Sequence, residues 1–150
     1  LSSSIENNDY TSWAKTAADN GFMVIFPQGL ENIEGANDKE PSWNAGLCCQ
    51  GASQMKIDDV SFLRRLVELE ISNTANNIDE SRVYISGHSN GCAMAQRMAV
   101  EASHLFAAVG CHSFYLLADV ALSYNAIPFI EVHGLDDKTV SQIRHIIILF

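Results

Sequence analysis

Residues 82–95 read RVYISGHSNGCAMA, and this segment is the clearest indication of how the chain folds. Its first part is rich in β-branched and aromatic residues and favours a strand, whereas residues 93–100 favour a helix. Between them lies a G-x-S-x-G turn centred on Ser89, the elbow (residues 87–91). Such a tight turn lifts a serine hydroxyl clear of a sheet, and its two glycines leave room for the helix to approach. The pattern predicts that Ser89 is a catalytic nucleophile; the alternative is an ordinary strand-to-helix turn.

The rest of the chain alternates between helical and strand patterns. Helices are predicted from residue 9 to 21, from 58 to about 73, and behind Ser89. Strands are predicted at residues 22–26, 82–86, 106–111 and 127–133. The run 22–26 is continuously apolar, which is typical of a strand buried on both faces of a parallel sheet. The alternation predicts one α/β domain with a mostly parallel sheet of about four strands flanked by helices.

Charge and hydropathy argue against several kinds of partner. The 150 residues carry 9 basic and 18 acidic side chains, a formal net charge of -9, whereas nucleic acid and anionic membranes require a basic face. The apolar runs are far shorter than the ~20 residues that span a bilayer. No apolar leader opens the chain at Leu1, although one could precede it. The spacing of histidines and cysteines predicts no metal site, and no cofactor is expected.

Residues 28–55 lack a clear period and are rich in Asn, Gly and Ser, so they are predicted to form a long surface loop. Trp43 lies in this loop, where it either contacts substrate at the rim of the site or anchors the loop by packing. The chain has four cysteines, at positions 48, 49, 92 and 111. Either Cys48 or Cys49 forms a disulfide with one of the other two across the elbow, or all four are buried free thiols.

A second chemical feature follows the last predicted strand, where residues 133–140 read HGLDDKTV. Because functional groups of open parallel sheets gather at the carboxyl ends of the strands, a carboxylate here lies on the same rim as Ser89. The chain order of serine followed by aspartate is the order found in hydrolases. The alternative is that Asp136 and Asp137 form a solvated turn that caps a helix from Lys138.

From about residue 14 to residue 140 the chain resembles the esterase family that includes polyhydroxybutyrate depolymerases and feruloyl esterases, within the α/β-hydrolase superfamily. No matching segment is specific for this family on its own, but the combination of all the matching segments is. They are residues 21–28, 43–46, 48–49, 58–60, 78–87, 89–91, 106–109, 133–134 and 137.

The resemblance implies hydrolysis of carboxylic esters through an acyl-enzyme, on a small-molecule or polymeric ester. It implies that Ser89 is the nucleophile and that Asp137, rather than Asp136, is the acid of the triad. The backbone N–H of Asn90 would be one oxyanion donor. Because the family is largely secreted, the resemblance also implies a secreted protein, in which a disulfide is permitted.

The chain departs from this family at two places. The family's strand and H-G-type oxyanion loop that precede the first helix are expected to be missing, which would leave residues 22–26 poorly paired or displaced. The family's triad histidine follows a further strand, whereas here His145 is the only histidine after Asp137 and its surroundings do not match. We therefore expect an incomplete domain with little activity of its own, because a serine without a positioned histidine lacks a proton acceptor.

Two other functions stay open. A serine peptidase of the same fold would share the elbow and the aspartate, and a non-catalytic hydrolase-like binding domain would share the fold without the chemistry. The acyl and alcohol groups of the substrate and the oligomeric state do not follow from the sequence.

Overall fold

The computed structural model describes residues 11–48, 50–120 and 124–140, and these ranges contain four α-helices and a small parallel sheet. The helices are α1 (Trp13–Asn20), α2 (Gln50–Gln54), α3 (Asp59–Ser72) and α4 (Asn90–Glu101). The strands are β1 (Tyr84–His88), β2 (Ala108–His112) and β3 (Phe129–Val132). Short 3-10 turns lie at Glu80–Arg82 and Ser103–Leu105. No helix in these ranges is long and apolar enough to cross a membrane.

The sheet has the order β1-β2-β3 and both strand pairs are parallel. His88 is in register with His112, which is in register with Val132, so the three carboxyl ends lie side by side. This confirms the predicted α/β fold with a parallel sheet. The strand predicted at 82–86 begins two residues late because Asp79 accepts a hydrogen bond from the N–H of Ser81 and opens a 3-10 turn through Arg82.

The prediction of a buried strand at residues 22–26 is wrong. This segment joins no ladder, and the side chains of Phe22, Met23 and Ile25 are between 40% and 45% exposed. Within the described ranges no strand lies alongside to pair with its backbone, and an apolar run alone cannot replace those hydrogen bonds. The sheet therefore has three described strands instead of about four. The unpaired state of residues 22–26 agrees with the separate expectation that this segment would be poorly paired or displaced.

The core lies between the sheet and α4. Almost every side chain from Cys92 to Ala99 is buried, and the two large ones, Met94 and Met98, are less than 3% exposed. Three of the other six buried positions of α4 are alanine, which lets the helix lie close to β1 and β2. Since burying one methionine stabilises a fold by about 1.5–3 kcal/mol, this packing holds α4 rigidly behind the elbow.

A disulfide joins Cys92 in α4 to Cys111 in β2, with the two Cα atoms 5.0 Å apart. The predicted disulfide from Cys48 to either residue is wrong, as is the alternative that all four cysteines are free thiols. Cys49 lies outside the described residues. The pairing follows from packing, because the first turn of α4 lies directly over β2 and brings these two buried side chains together.

Candidate active site

The backbone of Ser89 is strained. Its φ of 52° and ψ of -126° lie in a region that residues other than glycine rarely adopt, at a cost of about 1–3 kcal/mol. The N–H of Ser89 donates to the carbonyl of His112 (3.0 Å), and its own carbonyl accepts from the amides of Cys92 and Ala93. The sheet and the helix therefore hold the turn from both sides, with the serine half-buried at the rim.

The two glycines of the elbow have different roles. A Cβ at Gly87 would lie 2.6 Å from the backbone nitrogen of Cys92 and closer still to the carbonyl of Gly91. A Cβ at Gly91 would meet nothing within 4 Å. The expectation that both glycines supply room is therefore correct only for Gly87, where the strand and the helix approach each other backbone to backbone.

Asn90 begins α4, so its N–H belongs to the first amides of the helix, which no carbonyl inside the helix can reach. Such amides lie at the positive end of the helix dipole and favour an anion. The side chain has a role that the sequence analysis missed. It is 2% exposed, its Oδ1 accepts from the N–H of Trp43 (2.8 Å), and its Nδ2 donates to the carbonyl of Trp43 (3.0 Å).

The loop around Trp43 packs onto α3 and α4. The ring of Trp43 stacks on Phe62 of α3, with centroids 6.3 Å apart and planes inclined by 17°. The N–H of Asn44 donates to Asp59 Oδ2 (2.6 Å), and Arg97 Nη1 donates to the carbonyl of Asn44 (2.7 Å). This geometry supports the anchoring role of Trp43; its contact with substrate stays a prediction.

Asp58 and Asp59 are adjacent at the start of α3 but have different roles. Asp58 caps α3 by accepting from the N–H of Ser61 (3.1 Å), as an N-terminal aspartate usually does. Asp59 instead turns inward and is 3% exposed. Burial raises the pKa of Asp59, and the Asn44 amide and the Arg97 charge oppose that rise. The buried carboxylate thus ties the loop to α3, a role that nothing in the local pattern indicates.

Asp137 lies just beyond β3 in an ordered turn. Its Oδ1 accepts from the N–H groups of Val140 and Thr139 (both 2.9 Å), and its Oδ2 lies 3.4 Å from His133 Nε2. The bonds to these two amides, with the nearby His133, lower the pKa of Asp137. Asp136 is exposed. Asp137 is therefore an ionised carboxylate in a fixed turn, which agrees in part with the capping alternative.

His133 occupies the turn beside Asp137 and contacts neither Ser89 nor its neighbours through a hydrogen bond. Its Nδ1 lies 3.1 Å from Glu131 Oε1, and its Nε2 lies 2.8 Å from the carbonyl of Val140. The hydrogen bond to Glu131 raises the pKa of His133, with further contributions from Val140 and the charges of Glu131 and Asp137. Both ring nitrogens are engaged, so His133 holds the turn together and does not serve Ser89.

This geometry predicts that His133 titrates above the ordinary value of about 6.5. Because its folded pKa is raised, His133 stabilises the fold fully below pH ~6.5, and that contribution is lost as pH rises through the folded pKa. NMR titration of the imidazole resonances should show this, and Glu131→Gln should lower the pKa. Asp136→Asn is the matched control and should change it little. A His133 that titrates below 6.5 in the wild type would contradict the contact with Glu131.

The elbow and the turn that contains Asp137 follow the carboxyl ends of two strands of the same sheet. Neighbouring strands lie ~4.8 Å apart, so the ends of β1 and β3 are separated by about 10 Å, with β2 between them. The rings of His88 and His112 lie on this edge with centroids 5.1 Å apart. Burial and the charge of His112 lower the pKa of His88, while the charge of Asp137 opposes this. The carboxylate of Asp137 therefore acts electrostatically on the elbow.

The arrangement supplies a serine, the backbone N–H at the start of α4 and a carboxylate on one rim of the sheet. Among the described residues no histidine hydrogen-bonds to Ser89 Oγ, and His145 lies outside them. In the same ranges no group of three side chains could hold a metal ion. A serine and a carboxylate on one rim are two of the groups that acyl transfer uses, and the third is a proton acceptor between them.

Comparison with known proteins agrees with this geometry at the level of the family. The model of the phospholipase/carboxylesterase family of α/β-hydrolases matches residues 9–146. Neither a curated protein nor a solved structure matches the chain significantly. The matched family supports ester hydrolysis in general, without the narrower depolymerase or feruloyl esterase type. The chain therefore belongs to the phospholipase/carboxylesterase family.

Proposed function

We propose that Ser89 is the nucleophile of a serine esterase that acts on polyester or on feruloyl or acetyl esters of polysaccharides. The observation that carries the proposal is the strained backbone of Ser89 between β1 and α4. Strain of this size persists only where the surrounding structure enforces it, and it clusters at catalytic positions. The family match over residues 9–146 supports the ester as the bond that is cleaved.

In the proposed reaction, Ser89 Oγ attacks the carbonyl carbon of the ester while a histidine accepts the hydroxyl proton. The negative oxygen of the tetrahedral intermediate accepts a hydrogen bond from the N–H of Asn90 at the start of α4. The histidine then protonates the leaving alcohol, and an acyl-serine ester remains. Water, activated by the same histidine, releases the carboxylic acid and restores Ser89.

Asp137 is proposed to orient that histidine and to stabilise it as a cation. Its lowered pKa keeps the carboxylate charged at neutral pH, and Oδ2 is free of the two turn amides that Oδ1 accepts. The histidine is either His145 or a residue from outside these 150, because no described histidine bonds to Ser89. We propose the second and expect the isolated 150-residue chain to be nearly inactive.

We also propose that the protein acts outside the cell. The disulfide between Cys92 and Cys111 supports this, since disulfides persist in oxidising compartments and are rare in the reducing cytosol. It crosses from the helix behind the nucleophile to the neighbouring strand, so its reduction would loosen the base of the elbow.

The test compares three proteins: the full-length natural protein that contains this sequence, here called the natural protein, its Ser89→Ala variant, and the 150-residue chain alone. Hydrolysis of p-nitrophenyl acetate and labelling by a fluorophosphonate probe should both require Ser89 in the natural protein. Cleavage of an ester without cleavage of the matching peptide separates an esterase from a peptidase. No labelling at Ser89 would favour a non-catalytic binding domain, and serine-dependent turnover by the 150-residue chain would show that the base lies within it.

A further inference from the structure

We propose that the side chain of Asn90 is a positioning residue, which holds the oxyanion amide of the elbow in place by clamping it to the backbone of Trp43. The proposal rests on the proposed function, because it concerns the amide that would bind the oxyanion. It assigns Asn90 a second role. The backbone N–H receives the oxyanion, and the buried carboxamide keeps that N–H in place.

The clamp is a matched pair of hydrogen bonds. Asn90 Oδ1 accepts from the N–H of Trp43 (2.8 Å), and Nδ2 donates to the carbonyl of the same residue (3.0 Å), across a separation of 47 residues. A backbone N–H only donates and a carbonyl only accepts, so the orientation of the carboxamide is unambiguous. Among side chains of this length, only asparagine offers one acceptor and one donor in this arrangement.

The far end of the clamp does not move freely. The ring of Trp43 is stacked on Phe62, and the next residue, Asn44, is held by Asp59 and by Arg97. These partners belong to α3 and α4, which pack on each other in the core. The clamp therefore ties the elbow to a rigid part of the domain.

The near end of the clamp acts on the residue that carries the oxyanion amide. Two hydrogen bonds fix the side-chain torsions of Asn90, and through its Cα they restrict rotation of the peptide between Ser89 and Asn90. An oxyanion donor must lie about 2.7–3.1 Å from the charge that develops, and loss of one such donor costs about 100- to 1000-fold in kcat. A donor that is present but mobile should stabilise the oxyanion less well and should therefore lower kcat by a part of that 100- to 1000-fold effect.

Two substitutions at Asn90 test the clamp. Asn90→Ala removes both hydrogen bonds, and Asn90→Asp keeps the acceptor but places a carboxylate oxygen against the carbonyl of Trp43. In the natural protein, we expect each to lower kcat for p-nitrophenyl acetate about 10- to 100-fold, because both keep the backbone N–H but free its orientation. KM should change less than about threefold, since the ground-state ester makes little use of this amide.

Ser42→Ala is the matched control. Ser42 is 2% exposed in the same loop, and its Oγ accepts from the N–H of Ala52 (3.2 Å), away from the elbow. This variant should lose stability through the loop, as the Asn90 variants do, yet keep kcat within about twofold of the wild type, since no hydrogen bond joins Ser42 to the elbow. A fall in kcat in Ser42→Ala equal to that in Asn90→Ala would overturn the proposal, because loosening the loop alone would then explain both.

Hydrogen exchange gives a readout that does not depend on turnover. Asn90→Ala and Asn90→Asp should speed exchange in both the 42–46 loop and the elbow amides, whereas Ser42→Ala should speed it in the loop alone. Unchanged exchange at the elbow in both Asn90 variants would overturn the proposal even if the enzyme proved inactive. Absence of Ser89-dependent turnover in the wild type would instead reject the proposed esterase, so the two failures are distinguishable.

Discussion

Gly87→Ala is expected to destabilise the domain by about 3 kcal/mol or more, at or above the upper end of the range for overpacked cores. The added methyl group would lie 2.6 Å from the nitrogen of Cys92 and closer to the carbonyl of Gly91, and all of these atoms are backbone. A side chain could rotate away, but here α4 itself must move from the sheet. Urea denaturation of the purified domain measures the loss as a lower midpoint at constant slope.

Gly91→Ala is the control for this substitution. It is the last residue of the same elbow and the second residue of α4, but its methyl group would meet nothing within 4 Å. Because alanine is favoured over glycine inside a helix by about 0.5–1 kcal/mol, this variant should be as stable as the wild type or slightly more stable. If Gly87→Ala and Gly91→Ala lowered the free energy of unfolding equally, the backbone contact at Gly87 would not be the cause. The elbow would then reject both substitutions for another reason.

Ser89→Gly is expected to raise stability while it removes activity. Glycine adopts the φ of 52° and ψ of -126° without steric cost, so it relieves the about 1–3 kcal/mol of strain stored at this position. Part of that gain is lost to the greater entropy of glycine in the unfolded chain, and a net increase of about 1 kcal/mol in the free energy of unfolding remains. Loss of the hydroxyl should lower kcat roughly 10⁴- to 10⁶-fold in the active natural protein.

Ser89→Ala separates the two effects, because it removes the hydroxyl but keeps a Cβ in the strained conformation. It should lose as much activity as Ser89→Gly and gain no comparable stability. Thermal or urea denaturation of both variants beside the wild type measures the difference. If Ser89→Ala and Ser89→Gly proved equally stable, the strain at the elbow would not exist, and the main support for Ser89 as the nucleophile would fall.

Several features of the molecule follow from local sequence alone. The elbow is recognisable because a strand pattern, a short turn and a helix pattern adjoin within residues 82–95, and each depends on neighbours a few positions away. The helix behind Ser89 is equally local, because residues 93–100 are rich in helix-forming side chains, although its near-continuous burial from Cys92 to Ala99 depends on packing against the sheet. The turn beyond β3 is equally local, since Asp137 accepts hydrogen bonds from residues two and three positions later.

Other features depend on packing between distant parts of the chain. The partner of Asn90 lies 47 residues away, and the partner of Cys92 lies 19 residues away. No periodicity encodes such contacts, because they arise when α3, α4 and the loop between residues 42 and 46 settle on one another. Asp59 illustrates this. Its position suggests an exposed acidic first turn, and only the Asn44 amide opposite it explains the burial.

Neighbouring residues specify the strand-to-helix elbow at Ser89, and the alternation of helix and strand patterns along the chain predicts a parallel α/β fold. Packing between distant segments settles which glycine cannot carry a side chain, that residues 22–26 stay unpaired, and what holds Asn90 at the start of α4. A Cβ at Gly87 collides only once α4 lies on β1, and an apolar run becomes a strand only beside another strand. These outcomes depend on contacts between atoms that are far apart in the chain and close in space. A local sequence pattern carries no information about such contacts.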